Sequence, residues 1–165
     1  MIKKNKPVFL CGFMGCGKST IGKTLAKKLG REFVDLDSYI EKREGMTIPE
    51  IFAQKGEPYF RDLESEALRT LPATVGVVAT GGGTLLRREN GDLAKSLGTS
   101  VFIDTPFALC YDRIKDDPHR PIAASSTREQ LLERFEQRRP LYLENSEVTV
   151  DGTLTPIQIA QEILK

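Results

Sequence analysis

The 165-residue sequence has no tryptophan, one histidine and only three cysteines. Cys11, Cys16 and Cys110 lack the C-x-x-C spacing, which argues against a disulfide framework and a zinc site, and reduced thiols are typical of a cytoplasmic protein. No apolar run reaches the length of a membrane span. The 24 basic and 23 acidic residues nearly balance, so bulk charge does not predict binding to nucleic acid or membrane. Any basic site is therefore local.

A glycine-rich motif near the start carries the strongest signal. Residues 12–19 fit G-x-x-x-x-G-K-[ST], and they follow a short apolar run at 7–11. Ile21, Leu25 and Leu29 then repeat every four residues, as on one face of a helix. A loop between a strand and a helix directs backbone N–H groups and the helix N-terminus at one point, which suits a polyphosphate. The motif therefore predicts a nucleotide-binding protein.

Individual residues of this loop have distinct expected tasks. Gly12, Gly15 and Gly17 permit a close approach of the backbone to phosphate oxygens. Lys18 can reach the β- and γ-phosphates, and the hydroxyl of Ser19 can ligate Mg²⁺.

Strand-like and helix-like segments alternate along the chain, which predicts an α/β fold with a five-stranded parallel sheet and helices on both faces. The expected strands are 8–11, 33–36, 75–79, 100–103 and 148–150. The expected helices are 18–29, 38–44, 48–54, 58–71, 88–96, 106–115, 128–139 and 156–164. We expect one domain over residues 1–165. The polar, proline-containing segment 116–127 predicts a mobile lid, with an ordinary surface loop as the alternative.

Two carboxylates, Asp35 and Asp37, mark the end of the second expected strand. Strand alternation would direct both toward the crevice where ligands bind in open α/β sheets. One could hold Mg²⁺ or its water, and the other could accept a hydrogen bond from an attacking hydroxyl. An Asx turn with a helix cap is the alternative for one of them.

Several further residues have a less specific signal. Three consecutive glycines, Gly81, Gly82 and Gly83, predict a close backbone approach to a ligand or to another segment, with a loose turn as the alternative. Arg61, Arg120 and Arg138 could converge on an anion, because guanidinium groups bind carboxylates and phosphates in a bidentate manner. Asp104 is interpreted as a strand-end or capping residue, with a metal role as the alternative.

Six motifs occur in a fixed order: the phosphate loop, Asp35 with Asp37, Phe60-Arg61, the glycine turn, Arg120-Pro121, and Arg138 to Tyr142. In this order and spacing, the sequence resembles the shikimate kinase family over nearly its whole length. The resemblance implies a P-loop kinase fold and transfer of the γ-phosphoryl group of ATP to the 3-hydroxyl of shikimate. Another small-molecule P-loop kinase and a non-catalytic nucleotide-binding module remain as alternatives.

The resemblance also implies roles for individual residues. The catalytic residues are Lys18, Asp37 as candidate base, and Arg120. The residues expected to bind the nucleotide are Gly12, Gly15, Cys16, Gly17, Lys18, Ser19, Thr20, Arg113, Arg120 and Pro156, with Arg113 and Pro156 around the adenine. The residues expected to bind shikimate are Asp37, Arg61, Gly81, Gly82, Gly83 and Arg138. Ser19, and Asp35 through water, would hold Mg²⁺. ATP and shikimate are the expected partners, without nucleic acid or membrane, for a cytoplasmic monomer.

Overall fold

The computed structural model describes residues 2–117 and 125–165. Its five strands form one parallel sheet in the order β2-β3-β1-β4-β5. They are β1 (Val8–Cys11), β2 (Glu32–Asp35), β3 (Val75–Ala79), β4 (Thr99–Asp104) and β5 (Val148–Asp151). The three inner strands are buried along almost their whole length, as in parallel sheets covered by helices on both faces. The predicted α/β fold with a five-stranded parallel sheet is confirmed.

The described helices alternate with the strands, as the sequence predicts. They are α1 (Lys18–Leu29), α2 (Leu36–Glu44), α3 (Ile48–Lys55), α4 (Glu57–Thr70), α5 (Arg88–Leu97), α6 (Phe107–Ile114), α7 (Arg128–Asn145) and α8 (Pro156–Leu164), and a 3₁₀ turn spans Thr84–Leu86. Side chains cap the starts of α2, α3, α7 and α8. Thr127 and Thr155 each form a reciprocal capping box, with Gln130 and Gln158 respectively.

Sheet register brings the candidate site together. Leu10 of β1 pairs with Ala79 of β3, and Asp35 of β2 pairs with the same Ala79. The carboxyl ends of these three parallel strands therefore lie at one edge of the sheet. The segments that follow them start from this edge, which is where open α/β sheets bind ligands.

The second strand and its helix differ from the prediction at 33–36 and 38–44. β2 ends at Asp35, and α2 begins at Leu36. Oδ1 of Asp35 accepts the backbone N–H of Ser38 at 3.2 Å, so this carboxylate caps α2. Asp37 lies in the first helical turn, and the strand-alternation argument for its direction is therefore wrong.

α7 continues six residues beyond the predicted end at 139, through Pro140. A proline inside a helix removes one backbone hydrogen bond, here to the carbonyl of Glu136, which is exposed and accessible to water. Beyond Pro140, the buried ring of Tyr142 packs against Phe102 with centroids 5.3 Å apart. This tertiary contact outweighs the local cost of the proline. Because sequence reasoning considered only that local cost, it predicted that the helix ends at 139.

The predicted lid over 116–127 falls mainly on residues outside the described ones. Only positions 116, 117 and 125–127 of that segment are described. The prediction of a single domain over 1–165 stays a prediction.

We expect Gly98→Ala to destabilise the protein by about 2–3 kcal/mol. A Cβ at Gly98 would overlap the carbonyl oxygen of Pro7, which accepts the N–H of Thr99 at 3.0 Å where β4 joins β1. Gly45→Ala is the control, because a Cβ there meets nothing within 4 Å and only the left-handed φ of 67° is unfavourable, at about 1 kcal/mol. Urea denaturation measures both. A loss at Gly98 no larger than at Gly45 would contradict the steric argument.

Candidate active site

The glycine-rich loop joins β1 directly to the N-terminus of α1. Gly17 caps α1 with a φ of 97°, and its carbonyl accepts the N–H of Ile21 at 3.0 Å. Gly15 has a φ of 83°, and a Cβ there would come within 2.7 Å of the Cys110 carbonyl. Only glycine meets both constraints easily. The loop thus has the form that a helix N-terminus needs to receive an anion.

A cavity of about 300 Å³ opens over this loop. Its walls include many of the residues predicted for nucleotide binding and for the metal: Gly15, Gly17, Lys18, Ser19, Thr20, Asp35 and Arg113. Asp37, Gly81 and Gly82, predicted for substrate binding, line it as well. The ammonium of Lys18 donates to the Gly12 carbonyl at 2.6 Å, and Nη1 of Arg113 donates to the Gly15 carbonyl at 2.9 Å. Both cations therefore lie against the loop backbone.

Of the predicted nucleotide residues that the structure describes, Gly12, Cys16 and Pro156 are absent from the lining of this cavity. Cys16 is 2% exposed, so it can offer a ligand only its backbone. Pro156 is in the first turn of α8 and is absent from the lining. Arg120 lies outside the described residues.

The two residues predicted to hold a metal are neighbours. Oγ of Ser19 donates to Oδ2 of Asp35 at 3.4 Å. In the described part of the chain, no cluster of three or more His, Cys, Asp or Glu side chains forms a metal site. Mg²⁺ at kinase sites uses one or two protein oxygens and completes its shell with water and phosphate, so this pair fits Mg²⁺.

The carboxylate of Asp104, considered as an alternative metal ligand, is engaged elsewhere. Arg139 donates from Nε to Oδ1 at 3.1 Å and from Nη2 to Oδ2 at 2.7 Å. This bidentate pair joins α7 to the end of β4, which agrees with the interpretation of Asp104 as a structural strand-end residue.

A second cavity, of about 570 Å³, adjoins the first. Its lining includes the residues predicted for substrate binding: Asp37, Arg61, Gly81, Gly82, Gly83 and Arg138. Met14, Asp37, Gly81 and Gly82 line both cavities. Asp37 is therefore at the junction between the phosphate-loop cavity and the arginine-lined cavity.

Burial raises the pKa of Asp37 from 3.8 to about 6, and the negative charges of Asp35 and Glu64 add to the shift. At neutral pH the carboxylate is ionised yet more basic than an ordinary aspartate. These are the properties of a general base.

Sequence reasoning missed Glu64, the charged residue on which Arg61 depends. Glu64 is 1% exposed, and it accepts Nη1 of Arg61 at 2.8 Å and Oγ1 of Thr84 at 2.5 Å. Oε1 of Glu57 accepts Nη2 of Arg61, at another edge of the guanidinium, at 3.2 Å. The signal in the sequence was a glutamate on the face of α4 that otherwise buries Phe60, Ala67 and Leu68.

The glycine turn and the 3₁₀ turn that follows it accept hydrogen bonds from three further side chains. The hydroxyl of Tyr142 donates to the Gly82 carbonyl at 2.5 Å, and burial raises its pKa, so it stays a neutral donor. The amides of Asn90 and Asn145 donate to the carbonyls of Thr84 at 2.9 Å and Leu85 at 2.8 Å. Other segments approach all three glycines closely, since a Cβ would meet Asp37 at Gly81, Arg138 at Gly82 and Arg61 at Gly83, so this is not a loose turn.

Comparison of the sequence and the structure with known proteins identifies relatives of this chain. The family model for shikimate kinase matches residues 14–165. A shikimate kinase from Persephonella marina is 45% identical over 159 residues, which cover 95% of this chain and 96% of that protein. The structure of shikimate kinase from Acinetobacter baumannii in complex with shikimate is 38% identical, covers 96% of this chain and 90% of that one, and has a TM-score of 0.87. A gluconokinase from Sinorhizobium meliloti, 19% identical with a TM-score of 0.54 and coverage of 97% and 90%, shares the fold alone.

We expect Asp37→Asn to stabilise the folded protein at neutral pH by up to about 3 kcal/mol, because a pKa raised by roughly two units opposes folding of the ionised form. The folded state retains the Asp37 proton up to about pH 6, whereas the unfolded chain releases it near 3.8. The stabilising contribution of protonated Asp37 to the free energy of unfolding is therefore fully present below pH 4 and is lost between pH 4 and 6. Urea denaturation across pH 4–7 measures it.

The control for that comparison is Asp92→Asn, at an exposed position on α5. We expect the stability difference between Asp37→Asn and wild type to be small at pH 4 and to grow to a plateau above pH 6. A difference that does not change with pH, or that matches the control, would contradict the assigned pKa of Asp37.

Proposed function

The chain belongs to the shikimate kinase family, and from this we propose that it transfers the γ-phosphoryl group of ATP to the 3-hydroxyl of shikimate, giving shikimate 3-phosphate and ADP. The observation that carries the proposal is the position of Asp37, which lines both cavities. A hydroxyl group bound by Asp37 faces the phosphate loop from the arginine-lined cavity. The γ-phosphoryl group of ATP and the hydroxyl group of the acceptor would therefore meet beside the carboxylate of Asp37.

The phosphate loop would bind the triphosphate through the backbone of residues 12–19 and the N-terminus of α1. Lys18 would supply positive charge to the transferring group, since phosphoryl transfer depends on charge neutralisation and alignment more than on covalent chemistry. Arg113, held on the Gly15 carbonyl, would contribute to the same side of the nucleotide site. The roles of Arg120 and Pro156 stay predictions from the sequence.

Ser19 and Asp35 would hold Mg²⁺, with Asp35 acting through water. When bound, the ion neutralises phosphate oxygens. Oδ1 of Asp35 is already fixed by the N–H of Ser38, so the orientation of Oδ2 toward Ser19 is set by the cap of α2.

Arg61 and Arg138, with the glycine turn, would bind the carboxylate of shikimate. Arg61 is fixed by Glu57 and Glu64, and Arg138 lies against Gly82, where a Cβ would come within 3.1 Å of Nη1. Asp37 would accept the proton of the 3-hydroxyl as the bond to phosphorus forms. Its raised pKa, about 6, makes that transfer more favourable than for an ordinary aspartate.

The alternatives have weaker support. The similarity to a gluconokinase, at 19% identity, concerns the fold. A non-catalytic module has no need of Lys18, Asp37 and the arginines, yet all of those described lie in the two cavities. No helix in the described ranges is long and apolar enough to cross a lipid bilayer. A monomeric state and a cytoplasmic location stay predictions.

ADP release from MgATP by the purified protein tests the proposal, with shikimate, gluconate and nucleoside monophosphates as parallel acceptors. We expect release with shikimate, its loss after chelation of Mg²⁺, and its near-abolition in Lys18→Ala. Release only with another acceptor would overturn the substrate, and binding of ATP without release for any acceptor would favour the non-catalytic module.

Thr84→Val should raise the KM for shikimate by about three- to tenfold and leave the KM for ATP unchanged. Valine has nearly the shape of threonine but cannot donate to Glu64, so the buried carboxylate loses one donor and holds the Arg61 guanidinium less firmly. Steady-state kinetics measure both constants.

Thr84→Ser is the matched control, because it keeps the hydroxyl and loses only a methyl group. We expect its KM values to stay close to those of the wild type. Equal effects of valine and serine would show that packing at this position, rather than the hydrogen bond, sets the affinity.

A further inference from the structure

The larger cavity has a third arginine, Arg134, beside Arg61 and Arg138. Arg134 precedes Arg138 by four residues on α7, so the two side chains project from the same face of the helix, one turn apart. Both side chains are half-buried. Neither lines the smaller cavity over the phosphate loop.

The three guanidinium groups differ in their partners. Arg61 forms ion pairs with Glu57 at 3.2 Å and with Glu64 at 2.8 Å. Within residues 2–117 and 125–165, neither Arg134 nor Arg138 forms an ion pair with a carboxylate. The α7 side of the cavity therefore has two like charges that the protein leaves without a counter-ion in this part of the chain.

This arrangement is costly for the protein alone. Burial and the positive charges of Arg138 and Arg61 lower the pKa of Arg134, and the negative charge of Glu57 only partly offsets them. An anion placed between the two guanidinium groups would relieve the repulsion and satisfy donors that are half-removed from water. Carboxylates suit this position, because guanidinium groups bind them in a bidentate, planar geometry.

We propose that Arg134 recognises the carboxylate of the acceptor together with Arg138, and thereby sets the affinity for an anionic acceptor. The inference rests on the proposed function and deepens it. Arg134 acts on binding and not on the transfer step, since it is absent from the cavity that contains Lys18 and Ser19.

Kinetics of Arg134→Gln with shikimate and with its neutral carboxamide test this role. With shikimate, we expect the KM to rise about tenfold, with kcat and the KM for ATP close to wild type. With the carboxamide, the variant and the wild type should have similar KM values, because no carboxylate is present to lose a partner. Arg134→Lys should fall between, since it keeps the charge and loses the planar pair of donors.

Arg69→Gln is the control, with the same substitution at an exposed position in the last turn of α4. Thermal unfolding verifies that each variant is folded. If Arg134→Gln does not fold, the KM of Arg134→Lys for shikimate tests the proposal in its place. A KM for shikimate within twofold of wild type, or an equal penalty with the carboxamide, would overturn the proposal. A wild-type protein inactive with shikimate would overturn the proposed function itself, and this inference with it.

Discussion

The buried carboxylate of Glu64 is the interaction on which the acceptor side of the site depends. Burying a charge in a protein costs several kcal/mol unless hydrogen bonds and an opposite charge compensate it. Here Arg61 and Thr84 supply both, from the same helix and from the 3₁₀ turn after the glycines. Any other arrangement would leave the buried charge of Glu64 without these partners. The carboxylate therefore fixes the Arg61 guanidinium and the end of the glycine turn in one geometry.

The same charge also acts on the proposed base. Glu64 is close enough to Asp37 to contribute to its raised pKa, after burial and Asp35. A Cβ at Gly81 would come within 2.7 Å of Oδ1 of Asp37 and 3.3 Å of Oε2 of Glu64, so the bare backbone of this glycine separates the two carboxylates. Positioning of the acceptor and tuning of the base are thus linked through one buried group, and neither can be changed alone by altering Glu64.

Local signals account for what the sequence predicted well. Residues 8–11 and 75–79 are short apolar runs, and 18–29 has helical periodicity after a phosphate loop, so each was placed correctly. The predicted end of α7 at 139 was wrong, and the burial of Glu64 was missed, because distant contacts contribute to both. α7 passes through Pro140 because Tyr142 reaches Phe102 and Gly82, and Glu64 is buried because Thr84 and Arg61 meet it. Arg61 and Glu64 are close in the sequence, three residues apart on α4, but no short sequence window contains both Glu64 and Thr84, or Tyr142 together with Phe102 or Gly82. Arg134 was missed for the same reason, since its place in the cavity depends on the packing of α7.

Separation of charge within the larger cavity would select one orientation of the proposed acceptor. The formal charges of Asp37, Glu57 and Glu64 balance those of Arg61, Arg134 and Arg138, but the pairing of Arg61 with two glutamates leaves the remaining charges apart. Asp37 faces the phosphate loop, whereas Arg134 and Arg138 line only the larger cavity. A molecule with a carboxylate at one end and a hydroxyl at the other would therefore bind favourably in one direction only. Reversal would place its carboxylate against Asp37 and leave two guanidinium groups without a counter-ion, so binding itself would deliver the hydroxyl to the base.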